Sequence, residues 1–278
     1  MKKTSMQSLI NKYDFFLFDQ WGVLHDGDKL YKFTNNTLKT IKNKKLFLIS
    51  NTSQTISEFK SQTLKKINLK FVYFKNIITA GEALYKTVKK NKKNIISKII
   101  SKKKAFIISN GNEKNLIKKL KIKEVNYNSS KFILSLSLKP KENTIKIMKN
   151  LKILAQRKIP MICTNPDMYT FFKGNRYFQI GHVANSYEKL GGKVHYIGKP
   201  YKDIFSSLIN KLIKKKTLII GDNLKTDILG GKNFGIKTAL ALNGFKKLNQ
   251  IKTNKLAIKH ILKNKIIPNY IIKDISIS

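Results

Sequence analysis

Short apolar runs alternate with longer amphipathic stretches along almost the whole of this 278-residue chain, and that alternation limits the fold it can adopt. Most of the runs are flanked by polar or turn residues, as buried strands are. Strands are predicted at Phe15–Phe18, Leu46–Ser50, Ala105–Ser109, Phe132–Leu138, Ile159–Cys163, Val194–Ile197, Leu218–Gly221, Thr238–Leu242 and Tyr270–Ile272. Helices are predicted at Ser57–Ile67, Glu82–Lys90, Glu113–Leu120, Glu142–Gln156 and Lys202–Lys214. The order predicts an α/β fold with βαβ units and a mostly parallel sheet, whose active site lies at the carboxyl ends of the strands.

The formal net charge of +42 raises the question of a polyanionic partner. Only Arg157 and Arg176 among the 57 basic residues are arginine, whereas nucleic-acid-binding proteins favour arginine for bidentate contacts. The excess lysine accompanies abundant asparagine and isoleucine, which share A/T-rich codons, so genomic base composition explains all three. The sequence therefore argues against a nucleic-acid partner, although a contiguous basic face with aromatic platforms would favour one. In either case the positive field concentrates anionic substrates such as phosphate esters.

Neither a membrane span nor a signal peptide is expected. The chain has no run of about 18 apolar residues, and polar residues interrupt any apolar segment near its beginning. Cys163 is the single cysteine, which excludes an intrachain disulfide and fits a reducing compartment. These features predict a cytoplasmic protein.

Acidic residues follow two of the predicted strands. Asp19 comes directly after Phe15–Phe18, and Asp222 follows Leu218–Gly221 in the turn "GDNLKTD", which also contains Asp227. Taken singly, each acid could be a strand-end cap, a turn residue or a helix cap. Together they form a set of hard oxygen ligands of the kind that Mg²⁺ prefers, with room for a substrate phosphate.

Phosphate-binding groups follow two further strands. Ser50 offers a hydroxyl and Asn51 an amide, although a Ser-Asn-Thr sequence alone is also turn chemistry. Lys199 stands just before Pro200, where it supplies a positive charge or merely precedes a helix. Combined with the acids, these groups suit phosphoryl transfer, in which a carboxylate can form an aspartyl-phosphate.

In this order, the four sites resemble the motifs of the haloacid dehalogenase (HAD) superfamily of phosphohydrolases. The stretch "ILGGKNFGI" resembles the segment after the fourth motif of that family. Within the superfamily, the chain is similar to the NagD-like subgroup, class IIA. The stretches that carry this similarity are "TAGEAL", "CTNPDMY" and "YEKLGGKVHYIGKP".

The spacing of the motifs implies where a second domain is inserted. Ser50 lies 31 positions after Asp19, but Lys199 lies 149 positions after Ser50. An insertion between the second and third motifs is the mark of the class II capped members. The resemblance therefore implies a Rossmann-like HAD core with an inserted α/β class II cap domain that closes over the substrate. The expected limits are 1–103 and 193–278 for the core and 104–192 for the cap.

The resemblance also implies roles for these residues in a Mg²⁺-dependent phosphomonoester hydrolase. Asp19 would be the nucleophile and a metal ligand, and Asp222 and Asp227 would complete the metal site. The residues that would hold the transferring phosphoryl group are Ser50, Asn51 and Lys199. The expected substrate is a small phosphorylated metabolite, and the caps of related proteins often mediate homodimers.

Trp21 departs from the pattern of the family. Most phosphatases of the superfamily have a second Asp two residues after the nucleophile, where it protonates the leaving alcohol and then activates water. Indole cannot do this, although the Trp21 backbone carbonyl could still bind the metal. A branch of the NagD-like proteins shares the Asp-x-Trp-Gly-Val-Leu pattern. The alternative to an enzyme is therefore a catalytically weak or inactive protein that binds a phosphorylated ligand.

Three other residues are candidates for roles at the site. His25 or Asp26 could replace the missing acid, or could instead be a structural histidine and an acid that serves the turn before Gly27. Asp167 lies in the Asn-Pro-Asp turn that resembles the specificity loop of NagD-like enzymes. It could contact the substrate or fix the turn.

Overall fold

The computed structural model describes residues 1–139, 144–172, 175–205, 208 and 213–277. The strands are β1 (Lys2–Lys3), β2 (Phe15–Phe18), β3 (Lys45–Ser50), β4 (Asn76–Thr79), β5 (Lys104–Ile108), β6 (Lys123–Glu124), β7 (Phe132–Ser135), β8 (Met161–Cys163), β9 (Tyr169–Phe172), β10 (Asn175–Phe178), β11 (Val194–Tyr196), β12 (Thr217–Gly221), β13 (Lys237–Ala241) and β14 (Tyr270–Ile272). The described part of the chain contains no helix long and apolar enough to cross a membrane.

Helices connect most of these strands. They are α1 (Met6–Lys12), α2 (Thr34–Thr40), α3 (Ile56–Glu58), α4 (Ala80–Lys90), α5 (Ile95–Ile100), α6 (Lys114–Leu120), α7 (Thr144–Gln156), α8 (Ile180–Lys189), α9 (Lys202–Phe205), α10 (Leu229–Phe234), α11 (Leu242–Leu248) and α12 (Asn254–Asn264). Thus strand and helix alternate as the sequence predicts, and the predicted α/β fold is confirmed.

The larger sheet has seven parallel strands in the order β1-β14-β13-β12-β2-β3-β4. Both of its faces are covered. Phe15 and Leu17 of β2 belong to one hydrophobic cluster, and Phe16 and Phe18 belong to another. A strand buried on both faces is apolar at every position, which explains the continuous run in the sequence. Because β2 lies between β12 and β3, the carboxyl ends of these three strands meet at one edge.

A second parallel sheet, in the order β11-β8-β7-β5-β6, is built from the middle of the chain. One of its strands comes from a segment that the sequence analysis assigns to the core. Val194–Tyr196 falls in the segment 193–278 assigned to the core, but it pairs with Met161–Cys163 of the second sheet. The run could equally have extended either parallel sheet, since periodicity does not show which partner a buried strand chooses. The limits themselves stay a prediction.

Several local elements differ from their predicted form. The strand Asn76–Thr79 and the antiparallel hairpin of β9 and β10 were not predicted. The helix predicted at Ser57–Ile67 is a short α-helix that continues as a π-helix at Phe59–Leu64. Two predicted helices fall partly outside the described residues, Glu142–Gln156 at 142–143 and Lys202–Lys214 at 206–207 and 209–212.

Candidate active site

Three carboxylates meet where β2 and β12 end. Asp19 continues the pairing of β2, since its N–H donates to the Ile220 carbonyl at 2.9 Å, and Asp222 directly follows β12. Asp227 packs against the strand end, where a Cβ on Gly221 would lie 2.1 Å from its Cγ. One oxygen of each of the three acids lies within 4.8 Å of the others, and all three are buried. This cluster of hard oxygen donors fits a divalent cation such as Mg²⁺.

Lys199 stands between two of these acids. Its Nζ donates to Asp19 Oδ1 at 2.6 Å and to Asp227 Oδ1 at 2.7 Å, and only 1% of the residue is exposed. Burial opposes the charged form, but the two carboxylates more than offset it and raise the pKa of Lys199 above its ordinary value. The ammonium is therefore permanently charged and fixed beside Asp19.

The carboxylates outnumber this one cation. Burial, and then the charge of Asp227, raise the pKa of Asp19 to about 7 against the opposing effect of Lys199. Burial and the charge of Asp19 raise the pKa of Asp222 as well. The negative charge is thus incompletely balanced within the protein, and a bound divalent cation would restore the ionised form of Asp19 that a nucleophile needs.

Ser50 and Asn51 lie beside this cluster at the end of β3. Ser50 Oγ accepts from Gln20 Nε2 at 2.9 Å and from the Thr52 N–H at 3.1 Å. Asn51 Oδ1 accepts from the Lys199 N–H at 2.6 Å, and its Nδ2 donates to the Lys199 carbonyl at 3.2 Å. The Asn51 amide therefore holds the backbone of Lys199 in place. Its predicted contact with a phosphoryl group stays a prediction.

Trp21 joins the core to the antiparallel hairpin of β9 and β10, which forms a two-stranded sheet of its own. Its Nε1–H donates to the Phe171 carbonyl at 2.8 Å, and its ring lies edge-on to Phe172 with centroids 6.3 Å apart. Gly27, at a φ of +97°, makes room for the ring, because a Cβ there would lie 2.2 Å from Trp21 Cζ2. Trp21 thus forms a bridge between two parts of the molecule.

His25 is placed behind the cavity and is not among the described residues that line it. Only 1% of it is exposed. Its Nδ1 accepts from the Gly27 N–H at 2.9 Å, and its Nε2 lies 3.2 Å from Gln20 Oε1. Burial lowers the pKa of His25 to about 4. Because both ring nitrogens are engaged inside the protein, the geometry favours the structural alternative, and an acid role for His25 stays a prediction.

Asp26 lines the cavity but is held in its own turn. Its Oδ1 accepts from the N–H groups of Asp28 at 3.1 Å and Lys29 at 3.0 Å. Burial alone would raise the pKa of Asp26, but these hydrogen bonds and nearby lysines lower it. A carboxyl that stays ionised is a poor proton donor to a leaving group, so the geometry favours the turn role.

Asp167 reaches the site from the loop between β8 and β9. Its Oδ2 accepts from Asn51 Nδ2 at 3.1 Å, and its Oδ1 accepts from Asn223 Nδ2 at 3.3 Å. Burial raises the pKa of Asp167. It lines the cavity, as a substrate contact must, but contact with substrate stays a prediction.

These residues surround a cavity of about 330 Å³ that opens between the two sheets. Asp19, Ser50 and Asp222 form its core side, and the β9–β10 hairpin covers it with aromatic rings. Tyr31 and Lys247 also line it, although neither was singled out in the sequence. No motif marks them, because a tyrosine after a turn and a lysine among many lysines carry no local signal.

Two family models match the regions that supply this site. A haloacid dehalogenase-like hydrolase model matches residues 16–123, and a HAD-hydrolase-like model matches residues 196–274. The first region holds Asp19 and Ser50, and the second holds Lys199, Asp222 and Asp227. The chain belongs to the haloacid dehalogenase-like hydrolases.

Within this family, the curated proteins to which the chain is similar are NagD-like members. The chain is 38% identical to the ribonucleotide monophosphatase NagD of Escherichia coli (strain K12) over 94 residues, which is 32% of this chain and 36% of NagD. It thus spans about a third of that relative. The 4-nitrophenylphosphatase of Schizosaccharomyces pombe is 24% identical over 274 residues, 88% of this chain and 89% of that protein. A solved haloacid dehalogenase-like hydrolase from Brucella suis 1330 shares the fold with a TM-score of 0.80, at 19% identity over 99% of both chains.

Proposed function

We propose that this protein is a Mg²⁺-dependent phosphomonoester hydrolase that acts on a small phosphorylated metabolite through an aspartyl-phosphate. The observation that supports it most directly is the Asp19 carboxylate, held 2.6 Å from the Lys199 ammonium and next to Asp222 and Asp227. A protein that only bound phosphate would gain little from a nucleophile, because a negative charge there repels the ligand. The names of NagD and of the S. pombe relative also describe phosphatases.

Different residues supply the nucleophile, neutralise negative charge and position the phosphoryl group. Asp19 attacks phosphorus and the P–O bond to the leaving group breaks, which leaves the phosphoryl group on the Asp19 carboxylate. Lys199 neutralises charge on the phosphoryl oxygens, and Ser50 donates its hydroxyl to one of them. Asp19, Asp222 and Asp227, with the Trp21 carbonyl, would hold Mg²⁺, which when bound screens the repulsion between carboxylate and phosphate. Water then attacks phosphorus and releases Asp19.

Trp21 determines which esters this arrangement can cleave quickly. An alkoxide is a poor leaving group unless it is protonated as the bond breaks, and a positioned acid contributes ~10²–10⁴-fold to such a step. The indole N–H is engaged with Phe171 and has no acidity near neutral pH. Slow hydrolysis of alkyl phosphates is therefore expected, with less impairment for aryl phosphates.

A screen of the purified protein over a panel of phosphorylated metabolites, with and without Mg²⁺, tests the proposal. Hydrolysis of at least one compound that needs Mg²⁺ is the expected result. Each compound should also be titrated calorimetrically. Tight, Mg²⁺-dependent binding of one compound without turnover of any would refute the enzyme and support the phospho-ligand binding protein.

A further inference from the structure

One corner of the cavity, beside Asp222, carries two donors that the proposed chemistry does not use. Tyr31 and Lys247 line it, and we refer to it as the Tyr31–Lys247 corner. It belongs to the same cavity as Asp19 and Asp222, so the rest of a bound ester can extend toward it. Groups there can recognise the leaving group without taking part in phosphoryl transfer.

Tyr31 presents a hydroxyl in need of a partner. Its N–H donates to the Leu24 carbonyl at 3.1 Å, and its ring stacks on Phe33 with centroids 5.6 Å apart. The hydroxyl oxygen is buried and has no hydrogen-bond partner among the residues that the structure describes. Buried polar groups in native proteins are normally paired, and leaving one unpaired is costly. Burial, and then the charges of Asp222 and Asp26, raise the pKa of Tyr31, so the hydroxyl keeps its proton and can donate.

Lys247 reaches the same corner from α11, which packs directly on the site. A Cβ at Gly244 would lie 2.2 Å from the Gly22 carbonyl oxygen and 2.7 Å from Asp222 Oδ2, so glycine permits this close approach. Lys247 follows Gly244 by three positions, a spacing that places both on one helix face. Its Nζ lies 4.8 Å from the ring centroid of Tyr31. No described carboxylate lies within ion-pair distance of that ammonium.

The neighbouring acid does not cancel this positive charge by direct pairing. Asp26 also lines the cavity, but its Oδ1 accepts from the backbone N–H groups of Asp28 and Lys29. The Lys247 ammonium, 4.8 Å from the Tyr31 ring centroid, and the Tyr31 hydroxyl therefore remain as two donors in this corner. An oxygen anion satisfies both at once, since it accepts hydrogen bonds and balances the ammonium.

We propose that the Tyr31–Lys247 corner binds an anionic oxygen group, a carboxylate or a second phosphate, on the leaving group of the ester. The inference rests on the proposed function, because it assigns a ligand to another part of the same cavity. A hydrogen bond to a charged group changes affinity by roughly tenfold or more. The corner would thus select substrates that carry a second anionic group.

Binding of simple aryl phosphates to the Asp19→Asn variant tests this directly, because the variant cannot turn them over. Calorimetry with Mg²⁺ present at physiological salt would compare phenyl phosphate with the ortho, meta and para isomers of carboxyphenyl phosphate. At least one isomer should bind roughly tenfold or more tighter than phenyl phosphate. Adding Tyr31→Phe, which keeps the ring stacked on Phe33, or Lys247→Met should reduce that preference by about tenfold.

Lys246→Met is the matched control, because it removes the same charge from the same helix. Lys246 Nζ donates to Asn254 Oδ1 at 3.4 Å, away from the corner. It should leave the preference intact, whereas an equal loss in Lys246→Met would mean that the general positive field attracts the second anion. That result, no preference for any isomer, or no binding at all would overturn the inference. Turnover of phenyl phosphate by the unsubstituted protein is measured separately and tests the proposed function.

Discussion

Replacing Trp21 with aspartate should place a carboxyl group that can act as a general acid two residues after Asp19. A positioned general acid is typically worth ~10²–10⁴-fold, which is about 3–5 kcal/mol of activation free energy. We expect turnover of alkyl phosphates to rise at least about tenfold, a fraction of that range. The gain is incomplete because the indole also positions the hairpin through Phe171. Turnover of p-nitrophenyl phosphate should change far less, since its phenolate leaves without protonation.

The same substitution should lower the free energy of unfolding. It removes the hydrogen bond to Phe171, worth about 1 kcal/mol, and the packing of a half-buried ring against Phe172 and Gly27. A total of about 1–3 kcal/mol is expected, below the cost of truncating a fully buried aromatic residue. Trp21→Asn is the matched control, because it loses the same contacts without gaining an acid.

The assay is steady-state hydrolysis of one alkyl and one aryl phosphate by the unsubstituted protein, Trp21→Asp and Trp21→Asn. Urea unfolding verifies that each variant is folded under assay conditions. The reasoning is refuted if folded Trp21→Asp shows no rise in alkyl turnover over Trp21→Asn while the unsubstituted protein is already fast on the alkyl ester. The proton would then come from another group.

Three further results are expected. Asp222→Asn should weaken Mg²⁺ binding in calorimetry while circular dichroism shows an intact fold, and equal affinity would remove Asp222 from the metal site. Asp19→Asn should abolish turnover yet still bind phosphate esters, so undiminished turnover would rule out the covalent route. His25 takes up a proton below pH 6.5 when unfolded but only near 4 when folded, so acid across that window should cost up to about 3 kcal/mol of unfolding free energy. His25→Gln should flatten this dependence in urea titrations, and an unchanged slope would contradict the assignment.

Much of the fold could be predicted because both faces of the parallel sheets are buried. A run such as Phe15–Phe18 must be apolar at every position to pack on both sides, so it is visible in the sequence. The short strand Asn76–Thr79 is not visible in the sequence because only two consecutive apolar residues, Ile77 and Ile78, mark it, although both are buried. The hairpin of β9 and β10 was missed because its aromatic and polar residues are partly or fully exposed and follow no regular apolar–polar pattern.

The site was predictable where chain order alone brings residues together. Asp19 and Asp222 end adjacent parallel strands, so their meeting follows from topology. The sequence could not show that both nitrogens of His25 are engaged inside the core, because its partners depend on how the turn at Gln20 closes. The approach of Lys247 to Tyr31 depends on the packing of α11 through Gly244, which involves residues distant in the chain.

Trp21 is the single tryptophan of the chain, and it stands where the core meets the hairpin. Indole fluorescence depends on the polarity around the ring and on nearby quenching groups. Because the chain has one tryptophan, all of its indole fluorescence comes from Trp21. Any movement of the hairpin away from the core must break the bond to the Phe171 carbonyl and expose the ring to water. Intrinsic fluorescence of the unlabelled protein should therefore report opening and closure of the cavity in real time, without an introduced probe.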